Sequence, residues 1–566
     1  MHKDLEKIRF IGDAGSLFPE LITTSIEEAV NELREMVIIG ADTETEGFDF
    51  MNKRLLMLQL GNAQKQFVID VRGFKREDLS PLIGIFEDPT IVKIFHNAKF
   101  DYKFIKKYIG ATTTNIYDTY LVEKILHCGK DDYGFGLDKL CSRYLQVELN
   151  KSVRNRFVGL TGAPFTIDQI VYGAKDVEYL EKIYNLQQPE IAVKQLRTVV
   201  TLENKAVEVF SEIEYEGLII DLPEWKKMSL KNIAEAKEYE KVLDKVLLAD
   251  PQFEKYKAKK QLDLFLDESE LKESVINWGS PTQVFKIFKS IVPDLENVNG
   301  KKLAPHKSKH PVIGEYIKFK EKDKLASAFG DNFDTFISKD GKVRTTFQQI
   351  LDTGRVSSSE PNMQQIPARN EYRNCFLAPP GYVFVSSDYS SQELNVIAFG
   401  SGDPVFMSAL EKGEDLHSVC AELVFQDVWL NAAEEGCAYM KAKEKCDCKL
   451  HKKLRNQVKT VNFGLAYGMG PKKLSETIDC DLKEAKELIN KYFKAFPKIK
   501  VFLDRLGEFG KKHGYIETFP PFRRKRWFTS WTPKMYNDES KFMELGSIER
   551  ASKNTPIRMG HSIVRC

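Results

Sequence analysis

Short apolar runs punctuate the first third of the chain, and longer stretches with helical spacing dominate after it. Residues 37–41, 55–60, 66–71 and 91–96 have strand length and are bounded by polar turns such as Gly61-Asn62. Residues 42–44 continue the first of these strands. Residues 25–36, 167–184 and 201–213 predict helices, and another opens at Asn97. Residues 224–271 predict a long charged helical stretch with a mostly solvated face. Ser280 and Pro281 then fit the N-cap and first position of a further helix. Residues 300–309 predict a basic, flexible loop, and residues 317–328 a helix carrying Lys318, Lys320, Lys322 and Lys324. Residues 382–385, after the turn Pro379-Pro380-Gly381, predict a buried strand with Asp388 at its end, followed by a helix over 392–399. The pattern is that of an α/β multidomain protein, and 566 residues suffice for three or four domains.

The N-terminal pattern sets carboxylates where strands end and helices begin. Alternation puts Asp42 and Glu44 on one face of a strand. His96-Asn-x-x-Phe-Asp101 follows a later strand, and Tyr172 and Asp176 share one face of a helix. A lone Asp-x-Glu is common on exposed strands, so the combination carries the weight. Four converging carboxylates repel one another unless cations lie among them. Two divalent ions satisfy them, and such a pair can activate a water and stabilise the leaving oxygen of a phosphodiester. Tyr172 is placed to orient that water.

In order and spacing, Asp42, Glu44, Asp101, Tyr172 and Asp176 resemble the proofreading 3′–5′ exonuclease of the Asp-Glu-Asp-Asp-Tyr type. Gly136-Leu-Asp-Lys-Leu, before Tyr144-Leu145, resembles a helix of that domain. The resemblance implies a ribonuclease H-like fold. It also implies two Mg²⁺ ions in the site, with Mn²⁺ able to substitute, and a single-stranded DNA 3′ end as substrate.

The C-terminal half carries a second set of signals. The polar run from Gln349 to Pro367 is rich in hydroxyls and amides suited to phosphates, sugars and groove edges. Arg455, Lys459, Phe463 and Tyr467 recur every four residues, so they follow one slowly turning helix face. Cations first and rings after suit a nucleoside triphosphate, with Gly464, Gly468 and Gly470 giving a base access to the backbone. An amphipathic helix with a basic rim is the plain alternative.

These runs resemble family A, DNA polymerase I-like, DNA polymerases. The matching stretches are Glu214-Tyr-Glu-Gly-Leu-Ile-Ile-Asp221, Thr353-Gly-Arg-Val-Ser-Ser-Ser-Glu-Pro-Asn-Met-Gln364, Asp388-Tyr-Ser-Ser-Gln-Glu-Leu-Asn395 and the Arg455–Tyr467 face. Ser391, Gln392 and Asn395 depart from the family's pattern without removing a metal ligand. The resemblance implies a right-hand polymerase acting on primer–template DNA and dNTPs. Arg355, Ser357, Asn362, Gln364, Arg550 and Asn554 would contact the duplex. Asp388 would bind both catalytic metals, Tyr389 would lend a carbonyl, and Glu393 would exclude a ribose 2′-hydroxyl. Arg455, Lys459, Phe463, Tyr467 and His417 would bind the incoming nucleotide, with Lys459 also catalytic, although a lone helical histidine is more often packing. Phe463 implies discrimination against dideoxynucleotides, and the run Arg523–Arg526 a template contact.

The implied domains are an N-terminal extension (1–22), exonuclease (23–190), thumb (191–340), first part of the palm (341–410), fingers (411–534) and a truncated palm remnant (535–566). After Ile557 the match breaks, and the family's His-Asp-Glu motif does not follow. The expectation is a phage-type polymerase whose palm lacks its second metal carboxylate, with an intact exonuclease. The missing part would come from downstream coding sequence or a second chain. Activity only as an exonuclease, the N-terminal part of a split polymerase, and a non-enzymatic DNA-binding remnant are the alternatives.

Composition changes this picture little. A net charge of +2 gives no chain-wide signature of a nucleic-acid partner, so basic surface must be local. Nine scattered cysteines argue for a reducing compartment, and no apolar run approaches membrane-spanning length. Cytoplasm, bacterial or phage-infected, and no membrane partner are expected. Cys437-x8-Cys446-x-Cys448-x2-His451 could hold Zn²⁺, although its spacing is irregular for a zinc knuckle and its lysine-rich flanks should be exposed.

Overall fold

The computed structural model describes residues 5–12, 18–149, 153, 156–160, 162–258 and 273–563. The chain divides into two compact units. The first comprises residues 1–213, 347–357 and 386–566, and the second residues 214–346 and 358–385.

Among the described residues, the first unit opens on a mixed seven-stranded sheet of order β2-β1-β5-β4-β3-β6-β7. Its strands are β1 (Ile8–Ile11), β2 (Ile22–Thr23), β3 (Ile38–Thr45), β4 (Leu55–Gly61), β5 (Gln66–Asp70), β6 (Val92–Phe95) and β7 (Ile116–Asp118). β3 is antiparallel to β4 and parallel to β6. Every residue of β4 is buried, which explains its near-continuous apolar sequence. Within the expected extension over residues 1–22, Ile8–Ile11 form β1, which pairs with β5. Ser25 caps the helix Ile26–Arg34 through a reciprocal capping box with Glu28.

β6 pairs with β3 only as far as Gly40, so the Asp42–Thr45 end of β3 runs past that neighbour. The helix Ile167–Val193 crosses this end. A Cβ on Gly40 would stand 2.8 Å from the carbonyl oxygen of Val177, so only glycine admits the helix this closely. Toward the C-terminus, a helical core gathers Leu394, Trp429, Val458, Val461 and Phe502.

In the second unit the long helices Leu222–Leu248 and Pro311–Phe329 pack together. Trp225, fully buried, stacks on Phe333 at 4.3 Å. A three-stranded sheet joins Phe376–Leu377, Leu218–Ile220 and Lys342–Val343.

Several expectations change here. The charged helix expected over 224–271 ends at Leu248, before Asp250-Pro251, and residues 259–271 lie outside the described residues. Ser280 sits at the N-cap of Pro281–Ile291 without a side-chain capping bond. The expected loop over 300–309 contains the helical turns Gly300–Leu303 and Ala304–His306. Residues 382–385 are neither strand nor buried: Tyr382 is 74% and Val385 88% exposed. Among the described residues no strand pairs with this run, and without a partner's hydrogen bonds nothing offsets the entropy of ordering it. Among the described residues no helix is long and apolar enough to cross a membrane.

Candidate active site

The sheet and its crossing helix bring Asp42, Glu44 and Asp176 together. One carboxylate oxygen from each lies within 4.8 Å of the others. These groups line a cavity of about 440 Å³ together with Asp101, Tyr172, His96 and Asp138. Asp101 sits in the first turn of the helix Lys99–Tyr108 and accepts a 2.5 Å hydrogen bond from Thr43 Oγ1. It stands outside the three-carboxylate cluster while sharing its cavity, so the expected four-acid convergence is three plus one. Burial, and then the neighbouring charge of Asp42, hold the Asp101 carboxyl well above its ordinary range. Hard oxygen donors at this spacing, beside a carboxylate penalised for its charge, fit a divalent cation of the Mg²⁺ type.

Sequence reasoning missed the acid beneath the site. Asp118, buried at the end of β7, accepts from the backbone N–H groups of Asn97, Ala98, Tyr120 and Leu121 at 2.9–3.2 Å. It therefore ties the turn that opens the Asp101 helix to the next helix's first turn. Asn97 occupies the left-handed region at φ 71°, which asparagine tolerates better than most residues. Asp138, also missed as a site residue, lies within the quoted Gly136–Leu140 motif.

The second constellation is built on the helix Lys449–Ala466. Leu454, Val458, Val461 and Leu465 are its buried side. Arg455, Lys459, Phe463 and Tyr467 follow another face, with Lys459 exposed. Arg455 is held in a two-point ion pair by Asp415, at 2.7 and 2.8 Å. Burial pushes the Asp415 carboxyl up, but hydrogen bonds from Arg455 and Ser418 outweigh this and leave it below its ordinary value. His417, expected on the triphosphate, is buried with its ring 5.6 Å from Phe463 and Nδ1 3.0 Å from Asn462 Nδ2. Burial, reinforced by Arg455, lowers its pKa to about 4. In this structure it is packed against Phe463 and Asn462.

Glu393 is buried in the first turn of Gln392–Ser401. It accepts from the Tyr467 hydroxyl and, at 2.8 Å, from Arg355 Nη2. Arg558 lies over the Tyr467 ring at 4.5 Å. The sequence placed Glu393, Tyr467 and Arg355 in three separate motifs, and the fold joins them. Gly468, at φ +70°, turns the chain after the helix, where a Cβ would stand 2.9 Å from Arg550 Cγ. Gly464 is buried against Met469, so it serves packing and not the access expected of it.

Asp388 and Tyr389 lie in an exposed irregular segment, not at a strand end. Among the described residues, no group of three or more metal-ligating side chains includes Asp388. Arg355 and Ser357 belong to the first unit, Asn362 and Gln364 to the second. Arg550 is exposed on the helix Phe542–Ile563, and Asn554 is half-buried there. The basic run is also redirected. Arg524 is buried on Glu203, Arg526 donates to Thr555 Oγ1 at 3.1 Å, and Arg523 and Lys525 flank Glu517. Alternation through the hairpin Tyr515–Glu517/Lys525–Trp527 turns part of the run inward.

One chain thus joins a carboxylate cluster on a mixed sheet to a helix bearing cations and then rings. A family model described as 3′-5′ exonuclease matches residues 21–192, and one described as DNA polymerase family A matches residues 256–560. The chain belongs to DNA polymerase family A. It is 27% identical to DNA polymerase I of Borreliella burgdorferi over 95% of this chain and 56% of that protein. It is 25% identical to DNA polymerase I of Rhizobium leguminosarum over 88% of this chain and 49% of that protein. The thermostable DNA polymerase I of Thermus aquaticus is 33% identical over 38% of this chain and 24% of its own length. The chain thus spans about half the length of the first two relatives or less of the third. In fold it is similar to the POL domain of Pol1 from M. smegmatis, solved in complex with DNA primer-template and dNTP. The TM-score is 0.73 at 22% identity, covering 98% of this chain and 86% of that one.

Proposed function

We propose that this chain is a DNA polymerase I-like replication enzyme whose 3′–5′ exonuclease removes nucleotides from a DNA 3′ end. The observation that carries the reading is the Asp42, Glu44 and Asp176 cluster in a cavity shared with Asp101 and Tyr172. Those three carboxylates hold divalent metal, Mg²⁺ with Mn²⁺ able to substitute. Bound metal supplies water activation and charge neutralisation at the scissile phosphate. Tyr172 orients the attacking water, and Phe48 and Phe100 offer aromatic faces to the terminal bases.

Template-directed dNTP addition to a primer is the second activity of the proposal. Lys459 binds the triphosphate, Arg455 is aimed by Asp415, and Phe463 and Tyr467 bound the base. Glu393, fixed by Tyr467 and Arg355, occupies the space of a ribose 2′-hydroxyl. Asp388 is the polymerase metal ligand of this reading. Asp388 lies in an exposed irregular segment, and exonuclease activity alone is the second reading.

One labelled primer–template assay separates these activities. The full chain in Mg²⁺ should shorten the primer from its 3′ end, and Asp42→Asn should abolish the shortening. Undiminished degradation by Asp42→Asn would remove the exonuclease assignment. Efficient primer extension by the chain alone, lost in Asp388→Asn, would overturn the exonuclease-only reading and leave the bifunctional one.

A further inference from the structure

The cysteine–histidine cluster lies outside both constellations, yet the fold closes it. Cys437, Cys446, Cys448 and His451 are all buried, and their ligating atoms lie within 4.8 Å of one another. All three cysteines are free thiols. The flanking Lys441, Lys445, Lys449 and Lys452 are exposed as expected, together with Glu444 and Asp447, while the four ligands are buried.

His451 fixes the chemistry. Its ring stacks on Trp429 at 3.9 Å and 12°, and Nε2 lies 2.7 Å from the Trp429 carbonyl oxygen. A carbonyl only accepts, so Nε2 carries the proton and Nδ1 keeps a lone pair, the arrangement of a metal-binding histidine with its outer partner in place. Nδ1 faces Cys446 Sγ at 3.2 Å and Cys437 Sγ at 3.6 Å. One lone pair accepts well from one thiol, not two. A tetrahedral zinc, with bonds of about 2.3 Å to sulfur and about 2.0 Å to nitrogen, sets S···N separations of about 3.5 Å and uses both sulfurs.

We propose that Cys437, Cys446, Cys448 and His451 form a structural Zn²⁺ site that fastens residues 437–448 to the first turn of the Lys449–Ala466 helix. Three thiolates on Zn²⁺ leave a net negative charge. The positive end of that helix, whose N-cap is Cys448, complements it, and flanking lysines outnumber the neighbouring acids Glu444 and Asp447. Lys443, inside the fastened segment, accepts at its carbonyl from Asp415 N at 3.0 Å. The clip thereby supports the residue that aims Arg455.

The test uses the full chain, expressed with zinc supplied and passed through metal-free buffer. Elemental analysis should find about one zinc per chain. Cys446→Ser should lose it, while Cys480→Ser, outside the cluster, should keep it. Should Cys446→Ser fail to fold, Co²⁺ added to the chelator-stripped wild-type chain decides: sulfur-to-cobalt charge transfer with tetrahedral d–d bands supports the site. Wild-type protein without zinc, or cobalt-treated protein without those bands, overturns it. Zinc retained by folded Cys446→Ser overturns it equally.

Discussion

The buried pair Arg524–Glu203 yields the sharpest prediction, because the sequence pointed Arg524 at a DNA template. The two side chains are 2% and 1% exposed. Glu203 also accepts at Oε2 from Gln349 Nε2 at 2.7 Å, and Gln349 reaches the Glu203 carbonyl at 2.7 Å. Arg524→Leu strips the carboxylate of its countercharge but leaves the Gln349 bond. Removing one partner of a buried pair costs about 3–5 kcal/mol, and the surviving bond puts this variant near the lower figure. Glu203→Leu strands the guanidinium and should cost a similar amount. The double variant replaces the pair by apolar side chains and should cost less than either single change, which makes the coupling at least about 3 kcal/mol. Urea midpoints by circular dichroism for the four proteins give the cycle. Primer–template affinity measured across salt concentrations on the folded single variants should be unchanged. An Arg524→Leu protein as stable as the parent, but with weakened, less salt-dependent DNA binding, would refute the buried assignment and return Arg524 to the template.

Three further outcomes are expected. Gly40→Ala sets a methyl group 2.8 Å from the Val177 carbonyl oxygen and must displace the helix bearing Asp176. A displacement near 1 Å should lower the exonuclease rate about 100-fold in steady-state degradation, and an unchanged rate would mean this approach does not position Asp176. Burial, with Lys194, Lys130 and Arg143 adding to it, lowers the His127 pKa to about 3, despite Glu123 and Glu190 at 3.6 and 3.4 Å. The Tyr133 hydroxyl bond to Nε2, at 2.9 Å, fits the neutral ring. The unfolded chain then binds the extra proton below pH ~6.5, so stability should fall as pH drops, by about 2 kcal/mol at pH 5. His127→Gln should flatten that slope in urea midpoints taken between pH 7 and pH 5. In an extension-competent assembly, Phe463→Tyr should raise dideoxynucleotide incorporation about tenfold, one hydrogen bond's worth, by primer-termination assay; no change would count against the alignment of the Arg455–Tyr467 face.

The clustered acids were legible because each is a local signal. Asp42 and Glu44 share a strand face, and Tyr172 and Asp176 a helix face, whatever the rest of the chain does. Gly40 and Asp118 were not, because their roles exist only across elements. A glycine in a strand says nothing about a helix carbonyl 137 residues away in the chain. The run 382–385 failed for a related reason: apolarity reports a preference for burial, and a strand also needs a neighbour to receive its hydrogen bonds. Arg524 failed because four consecutive basic residues read as surface, although alternation sends their side chains to opposite faces and Glu203 lies far away in sequence. The cysteine–histidine cluster shows the converse. Its spacing fits no familiar finger, but Cys448 at a helix N-cap and His451 one turn on need only residues 437–446, with the short helix Ala438–Ala442, to fold back. Sequence motifs therefore located chemistry where one element carries the whole geometry. Where two elements must meet, as at Glu393 with Tyr467 and Arg355, the residue types were visible and their relation was not.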